Sequence, residues 1–285
     1  MSAEPTASPD NLLGFLKRPT LNPYRSCAYF VIQRLWWDLH PEAWRSGARL
    51  RQVHNSQVGR RGLILCNGPS LNRVDFEAIL ARREQLVILG LNKINLLFDR
   101  TSLRPDLVVA VNEKVLTQNE AFFNETQLPL YLDSEGRNRI QSRAGVTFLR
   151  ATMPFGFARN LTMGYNMGGT VTYTAMQLAF HLGIRDLALV GCDHSFKTSG
   201  PANVAAVSGE HDENHFDPRY FSGGVQWDLP DIPCSEYHYS LAGQIFESFG
   251  GSITNCTDGG KLELYRRIPL ETWLSQTREN SADRT

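Results

Sequence analysis

From Gly62 to about residue 255, short apolar runs alternate with longer amphipathic stretches. Runs of four or five apolar residues have the length of buried strands, and the stretches between them have the periodicity of helices. Repeated strand–helix units build a mainly parallel sheet with helices on both of its faces. The pattern therefore predicts an α/β, Rossmann-like, doubly wound fold. Strands are predicted at residues 63–66, 86–90, 107–111, 128–132, 146–149, 187–191 and 252–255.

Changes in composition divide the chain into three segments. Residues 59–275 carry the strand–helix pattern and form the predicted main domain. Residues 1–58 join a polar, proline-containing start to an aromatic-rich helical extension, which we expect to break before Pro41. The part of this extension at 24–45 contains three tryptophans, so it either packs on the main domain or contacts a membrane surface or a protein partner. Residues 276–285 are polar without periodicity and are predicted to be a disordered tail.

Charge and cysteine content exclude several classes of function. Twenty-nine basic residues balance 29 acidic ones, so no net charge attracts nucleic acid. The five cysteines lack the paired spacing of a zinc site or a redox dithiol, which is typical of a reducing compartment. The chain shows no secretory signal and no apolar stretch long enough for a membrane span. We therefore expect a cytoplasmic protein with at most peripheral membrane contact, and the sequence leaves open whether it forms a homo-oligomer.

Asparagines follow three successive predicted strands. Because the carboxyl ends of parallel strands share one edge of the sheet, these side chains are predicted to line one ligand site. In the first turn, C-N-G-P-S-L, Gly68 allows close backbone approach and Ser70 is expected to cap the next helix, whose amides attract phosphate. A tight turn with a helix cap has the same composition, but three equivalent amides favour a nucleotide site. The residues of this predicted site are Asn67, Gly68, Pro69, Ser70, Asn92 and Asn112.

Two later motifs add candidates to the same edge. Gly168, Gly169 and Thr170 open a long helix, whose start suits an anionic group or is a plain glycine junction with a threonine cap. The strand that follows ends in G-C-D-H-S-F, which places Asp193 and then His194 at its carboxyl end. Asp193 is a catalytic candidate that binds a ribose hydroxyl, orients a histidine or holds a cation, unless it only caps the loop.

A stretch of about forty residues with little periodicity separates this strand from a helix expected to begin at its cap, Ser235. Loops this long inside a domain are usually functional. His211 and His215 are four residues apart, a spacing that permits metal binding on a helix. A histidine in a polar loop above a site is also suited to be a general base, and both histidines could be ordinary surface residues. The polar run of the loop ends in P-R-Y-F, which includes Tyr220.

The ordered motifs C-N-G-P-S-L, G-L-N-K, G-G-T-V, L-V-G-C-D-H-S-F and N-H-F resemble a known family. The chain resembles 6-hydroxymethylpterin diphosphokinase MptE-like domains, which are similar to the family 42 bacterial sialyltransferases and to the flagellin-modifying motility accessory factors. The resemblance covers about residues 60–270, including the late N-C-T-D-G-G-K-L-E segment. It implies a Rossmann-like fold and makes residues 59–275 a catalytic domain.

The resemblance also implies roles for single residues. Thr170 matches the position that contacts the donor sugar nucleotide. His215 of N-H-F matches the general base, which deprotonates an acceptor hydroxyl for inverting attack on the anomeric carbon. No metal or other cofactor is required for that chemistry. The positions that bind the CMP-sugar correspond to Asn67, Gly68, Pro69, Ser70 and Asn92.

One departure concerns the leaving group. The sialyltransferases have tyrosines just after the G-x-D turn that stabilise the departing phosphate, whereas this chain has His194, Ser195 and Phe196 there. Tyr220 or His194 would take that role.

The leading hypothesis from the sequence is a glycosyltransferase for surface glycan synthesis. It would use a CMP-sialic acid-like donor and a glycan or small-molecule acceptor. The second hypothesis is a diphosphokinase that transfers pyrophosphate from ATP to a pterin-like alcohol and depends on Mg²⁺. The third is a non-catalytic module that binds a nucleotide or a glycan.

Overall fold

A computed structural model of the protein describes residues 23–152, 156–196 and 200–276. The polar start of the chain and all but the first residue of the predicted tail lie outside these ranges. The strands are β1 (Arg61–Leu65), β2 (Leu86–Leu91), β3 (Leu107–Ala110), β4 (Leu130–Asp133), β5 (Val146–Leu149), β6 (Asp186–Val190), β7 (Ala205–Val207), β8 (Gln226–Asp228), β9 (Ser252–Asn255) and β10 (Arg266–Arg267). The α-helices are α1 (Pro23–Asp38), α2 (Pro41–Val53), α3 (Phe76–Leu80), α4 (Glu113–Gln118), α5 (Glu120–Glu125), α6 (Val171–His181), α7 (Ile232–Ser248) and α8 (Leu270–Ser275).

Eight strands form one parallel sheet in the order β10-β9-β6-β1-β2-β3-β4-β5. The chain runs outward from β1 to β5, returns to place β6 beside β1, and then continues outward on the other side. This arrangement confirms the predicted Rossmann-like, doubly wound α/β fold. It also places the reversal of strand order between β1 and β6, which is where open α/β sheets bind ligands.

The central strands are buried on both faces because their side chains alternate between two apolar cores. In β1, Leu63 and Leu65 contribute to one core and Ile64 contributes to the other, and all three are fully buried. A continuous apolar run, rather than an alternating one, is what such a doubly covered parallel strand requires. All seven predicted strands are present, whereas the two-residue strand β10 and the hairpin of β7 and β8 were not predicted.

Helix α6 is almost wholly buried and begins as predicted. The Thr170 hydroxyl caps it by accepting a hydrogen bond from the Thr172 amide at 3.3 Å. Inside the helix, the fully buried Gln177 accepts hydrogen bonds from the Ala158 and Asn166 amides at 2.9 and 3.0 Å. These bonds hold the loop before the helix and thereby fix where its glycines lie.

Two helix caps were predicted wrongly. Ser70 lies in a 3₁₀ turn from Pro69 to Arg73, and the next α-helix is capped by Asp75 instead. Helix α7 begins before Ser235, because Asp231 caps it through the Cys234 amide and Pro233 occupies its first turn. A proline there suits a helix start, since its missing N–H would have no partner in the helix.

The N-terminal helices cover one edge of the sheet, beyond β5. Ser46 on α2 accepts a hydrogen bond from the Phe148 amide of β5 at 2.9 Å, and Arg49 bonds to the Val146 carbonyl. A covered edge strand is protected from pairing with other chains. Among the residues described, no helix has the length and apolarity needed to cross a membrane.

Candidate functional site

A cleft of about 1180 Å³ lies along the carboxyl ends of the strands from β1 to β6. The long loop after β6 and the starts of α6 and α7 close it from above. Of the predicted site residues, Pro69, Ser70 and the candidate His211 do not line it. Those that do are Asn67, Gly68, Asn92, Asn112, Gly168, Gly169, Thr170, Asp193, His194, His215 and Tyr220.

Asp193 joins the two strands at the reversal of strand order. Its carboxylate accepts hydrogen bonds from the Ser70 amide at 3.2 Å and from the Ser70 hydroxyl at 2.6 Å. A β-carbon at Gly68 would lie 2.0 Å from this carboxylate, so the turn requires glycine. Of the roles considered for Asp193, the structure displays the capping of the β1 turn.

The three asparagines lie at neighbouring strand ends, as predicted, but they differ in their bonding. Asn112 caps α4 by accepting from the Val115 amide at 3.2 Å. Asn67 donates through Nδ2 to the Leu91 carbonyl at 3.0 Å and to the Tyr220 hydroxyl at 3.2 Å. The Oδ1 atoms of Asn67 and Asn92 are buried and accept no hydrogen bond from the described residues. Such an unmet acceptor costs about 1–3 kcal/mol, which a ligand that donates there could recover.

Glycines allow the starts of α6 and α7 to meet at the cleft. A β-carbon at Gly168 would lie 2.3 Å from the Tyr173 ring. Gly169 has φ +72°, in the left-handed region that favours glycine, and lies close to Cys234 of α7. The N-termini of α6 and α7, which both have a positive potential, therefore face the same cleft.

His215 forms a pair with Asp212 in the long loop. Its Nδ1 lies 2.7 Å from the Asp212 carboxylate, and its Nε2 makes no hydrogen bond with any residue that the structure describes. Burial acts to raise the pKa of Asp212, but its hydrogen bonds with His215 and with the Asn214 and Phe221 amides outweigh burial and hold that pKa below its ordinary value. Asp212 was not predicted as a site residue, although its three-residue spacing from His215 was visible in H-D-E-N-H.

Tyr220 supports the His215 ring from below. The two rings stack with their centroids 3.9 Å apart and an interplanar angle of 2°. Tyr220 is 1% exposed and burial raises its pKa, while its hydroxyl accepts the hydrogen bond from Asn67. In this arrangement the Tyr220 ring lies against the imidazole and its hydroxyl faces Asn67.

A buried lysine that the sequence did not single out anchors this part of the loop. Lys93 donates to the Tyr220 carbonyl at 2.5 Å and to Gln118 at 2.8 Å. Burial lowers its pKa to about 8, against the opposing attraction of Asp212. Lys93 follows Asn92 in the G-L-N-K motif, so the motif contributes both to the rim and to the loop above it.

The remaining predicted histidines are placed differently. His194 adopts φ 51° and its Nε2 lies 3.2 Å from the Glu236 carboxylate. His211 is exposed, and within residues 23–152, 156–196 and 200–276 no three His, Cys, Asp or Glu side chains are grouped to hold a metal ion. The spacing of His211 and His215 therefore does not form the core of a larger ligand set in the described chain.

The far end of the cleft, at β4 and β5, contains a cluster that the sequence analysis missed. The buried Asp133 accepts a hydrogen bond from the Tyr165 hydroxyl at 2.6 Å, and Arg150 pairs with Glu135 at 2.8 Å. Burial raises the pKa of Asp133 to about 6, against the lowering effect of the Tyr165 hydrogen bond. The signal in the sequence was a carboxylate at the end of the apolar run L-Y-L-D.

Comparison with known proteins gives a family match and a similar solved structure. The profile of the family described as 6-hydroxymethylpterin diphosphokinase MptE-like matches residues 42–199. No curated protein matches the sequence. Among solved structures, the MAf glycosyltransferase from Magnetospirillum magneticum AMB-1 is similar, with 19% identity and a TM-score of 0.46 over 84% of this chain. This chain spans 39% of that structure's length.

Proposed function

The chain belongs to the 6-hydroxymethylpterin diphosphokinase MptE-like family, as its motifs predicted, and we propose that it is a glycosyltransferase with a nucleotide-activated sugar as donor. The observation that carries the proposal is the Asp212–His215 pair at the cleft wall. A carboxylate that accepts from Nδ1 favours the tautomer in which Nε2 is unprotonated. That tautomer is the one a general base needs to take a proton from an acceptor hydroxyl.

The donor binds at the reversal of strand order, between the β1 turn and the start of α6. The unmet Oδ1 atoms of Asn67 and Asn92 accept hydrogen bonds from its base or ribose. Its phosphate lies against the first amides of α6, beyond Gly169, where the helix dipole attracts negative charge. These contacts support a nucleotide site without any assistance from the net charge of the protein, which is zero.

The reaction is a single displacement. His215 removes the proton of an acceptor hydroxyl, the acceptor oxygen bonds to the anomeric carbon, and the nucleotide leaves with its phosphate, so the anomeric configuration is inverted. Of the two side chains first considered for the leaving phosphate, Tyr220 is held by Asn67 and His194 by Glu236. We therefore assign stabilisation of the leaving phosphate to the backbone amides at the start of α6.

We place a CMP-linked, sialic acid-like sugar first among the donors and a surface glycan among the products. The support is the resemblance of N-G-P-S-L, G-L-N-K and N-H-F to the sialyltransferase motifs. The chemical step needs no metal in this proposal.

The second candidate, favoured by the description of the matched family, is pyrophosphoryl transfer from ATP. That reaction depends on Mg²⁺ to neutralise the phosphates. Three carboxylates in or beside this cleft already have protein partners: Asp193 bonds to Ser70, Asp212 to His215 and Asp228 to Lys114. Metal binding would have to break such bonds, which is why this candidate comes second.

The test has two steps. A thermal-shift screen with CMP, CDP, UDP, GDP and ATP, each with and without Mg²⁺, is expected to show metal-independent stabilisation by CMP. Release of CMP from CMP-linked sugars is then compared for His215→Ala and for the matched control His211→Ala, an exposed histidine of the same loop. His215→Ala should lower turnover by about 10²–10⁴-fold with nucleotide affinity retained, and His211→Ala should change little.

Other outcomes decide against the proposal. Stabilisation only by ATP with Mg²⁺, together with AMP formation, would establish the diphosphokinase. Tight nucleotide binding with no turnover of any donor would indicate a binding module. Loss of nucleotide binding in His215→Ala would place His215 in the donor site instead of at the acceptor hydroxyl.

A further inference from the structure

Helix α1 has two faces of opposite character. Phe30, Arg34 and Trp37 are spaced by four and three residues and so share one face; the first two line the cleft and Trp37 is buried in the core. At 3.6 residues per turn, Ile32, Leu35 and Leu39 lie on roughly the opposite side of the helix. A helix that packs one apolar stripe usually exposes polar residues on the other, whereas these three described residues on the outer side of α1 are apolar.

The exposed side carries large aromatic and aliphatic side chains, and we call it the outer apolar face. Trp36 is 73% exposed, Leu39 is 69% exposed and Trp44 on α2 is 62% exposed. Large apolar side chains at such exposure, gathered on one surface, indicate an interaction site. The outer apolar face consists of Tyr24, Val31, Ile32, Leu35, Trp36, Leu39 and Trp44.

The charges around this face are one-sided. The only carboxylates on α1 and α2 are Asp38, paired with Arg34 at 2.8 Å, and Glu42, which is buried and bonded to Arg49 at 3.0 Å. Arg45, which pairs with Glu42 at 3.5 Å, and Arg51 are exposed on α2, the helix that carries Trp44. Tryptophan and tyrosine with flanking arginine is the composition of a helix that lies in a membrane interface.

We propose that the outer apolar face docks the protein on an anionic membrane surface. A second copy of the chain is a poorer occupant, because a two-fold contact sets the same surface against itself. Such a contact would bring Arg45 and Arg51 towards a face with no exposed, unpaired carboxylate on its own two helices to receive them. Anionic lipid headgroups supply that charge, and the interfacial region accommodates the indole rings.

Docking has a consequence for the cleft. Since Phe30 and Arg34 line the cleft from the inner face of the same helix, a membrane on the outer face lies one helix diameter, about 10 Å, from the cleft wall. The acceptor is then a glycan held at the membrane by a lipid. This second part rests on the proposed function, whereas the docking does not.

Docking is tested by sedimentation of the full chain with two kinds of vesicle. One is phosphatidylcholine alone, and the other also contains about 30% of the anionic lipid phosphatidylglycerol. Binding is expected to the anionic vesicles and to weaken in high salt. The variant Leu35→Ser/Trp36→Ser should bind at least about tenfold more weakly, and Arg45→Glu/Arg51→Glu should lose the preference for anionic lipid. Val58→Ser/Leu264→Ser changes two exposed apolar residues elsewhere and should bind like the wild type.

Each alternative outcome overturns the docking proposal. Absence of vesicle binding does so directly, whether or not the face has another occupant. A concentration-dependent dimer in ultracentrifugation that Leu35→Ser/Trp36→Ser abolishes, without vesicle binding, would assign the face to a second copy. An unchanged nucleotide-induced thermal shift in each variant shows that the fold and the cleft are retained, so failure here is separate from failure of the proposed function.

The acceptor class is tested once a donor is known. Transfer to a glycolipid in anionic vesicles should exceed transfer to the same glycan free in solution, and Leu35→Ser/Trp36→Ser should remove the difference. Equal transfer to both forms by the wild type would overturn the assignment of the acceptor.

Discussion

Two buried aspartates in one cleft differ in the direction of their pKa shifts. Asp212 lies 2.7 Å from His215 and Asp133 lies 2.6 Å from the Tyr165 hydroxyl, so each has a short hydrogen bond. Asp133 is buried, and the side chain of Asp212 is 3% exposed. Burial acts to raise both pKa values, yet it prevails only at Asp133, whose pKa is about 6. At Asp212 the histidine and two backbone amides outweigh it and the pKa is lowered.

The opposite pKa shifts show that burial alone does not identify a catalytic carboxylate. A partner that becomes cationic keeps Asp212 ionised and ready to stabilise an imidazolium, whereas the phenol beside Asp133 does not offset burial, so Asp133 takes up a proton near pH 6. Aspartates whose surroundings separate their pKa values in this way have different roles. We assign orientation of the general base to Asp212 and support of the cleft wall to Asp133.

Asp212→Asn is expected to lower turnover more than any other variant discussed below. Asp212→Asn keeps the size of the side chain but replaces an acceptor with an amide that can donate to Nδ1. His215 then carries its proton on Nε2 and cannot act as a base, so turnover of the nucleotide sugar should fall by about 10²-fold or more. The measurement is turnover together with the nucleotide-induced thermal shift, which should persist.

The matched control is Asp133→Asn, the same change at the other aspartate. Its turnover should stay within about threefold of the wild type, because no step is assigned to Asp133. Equal losses in the two variants would show that the aspartates share a structural role and would remove the orientation argument for Asp212.

How much of this site the sequence predicts depends on the range of the interactions. Apolar runs are local, so the strands and the asparagines after the first three of them were predicted, and so was the cap at Thr170. The Asp212–His215 pair depends on how a loop of about forty residues folds against Lys93 and Asn67, contacts that come from distant strands. No periodicity in the loop encodes them.

The wrongly predicted caps have a more local cause. At α7, Asp231 and the proline that follows it compete with Ser235 for the same helix start, and the aspartate–proline pair prevails. Ser70 was expected to cap a helix, but its hydroxyl is engaged by Asp193 from a strand more than a hundred residues later. Sequence patterns indicate which residues can cap a helix; tertiary contacts decide which residue does.

The two aspartates should also have opposite effects on the pH dependence of folding stability. The folded-state pKa of Asp133 is about 6, above the value of about 3.9 for an unfolded aspartate. The folded state therefore binds this proton more tightly, so the stability it contributes is complete below about pH 4 and is lost as the pH rises through 6. Asp133→Asn is neutral throughout, so between pH 4 and pH 8 the stability difference should shift in favour of the variant by up to about 3 kcal/mol.

Denaturant unfolding of both proteins from pH 4 to 8 measures this difference. Asp212→Asn provides the opposite sign: because the pKa of Asp212 is lowered in the folded state, the advantage of the wild type over that variant should shrink as the pH falls through the folded-state pKa. A difference between Asp133→Asn and the wild type that does not change with pH would mean that Asp133 is ionised in the folded protein.

Removal of the hydroxyl of Tyr220 or Tyr165 is expected to have the smallest effect on turnover. Tyr220→Phe keeps the ring that stacks on His215 at 3.9 Å and removes only the hydroxyl that accepts from Asn67. If Tyr220 positions the imidazole through stacking, turnover should stay within about threefold of the wild type, whereas Tyr220→Ala, which removes the stack, should lower it by at least about tenfold. A loss of about 10²-fold in Tyr220→Phe would instead place the hydroxyl on the departing phosphate, because a hydrogen bond made to developing charge contributes that much to the rate. Tyr165→Phe serves as the matched control, since the same atom is removed beside the aspartate that has no assigned step, and its turnover should not change.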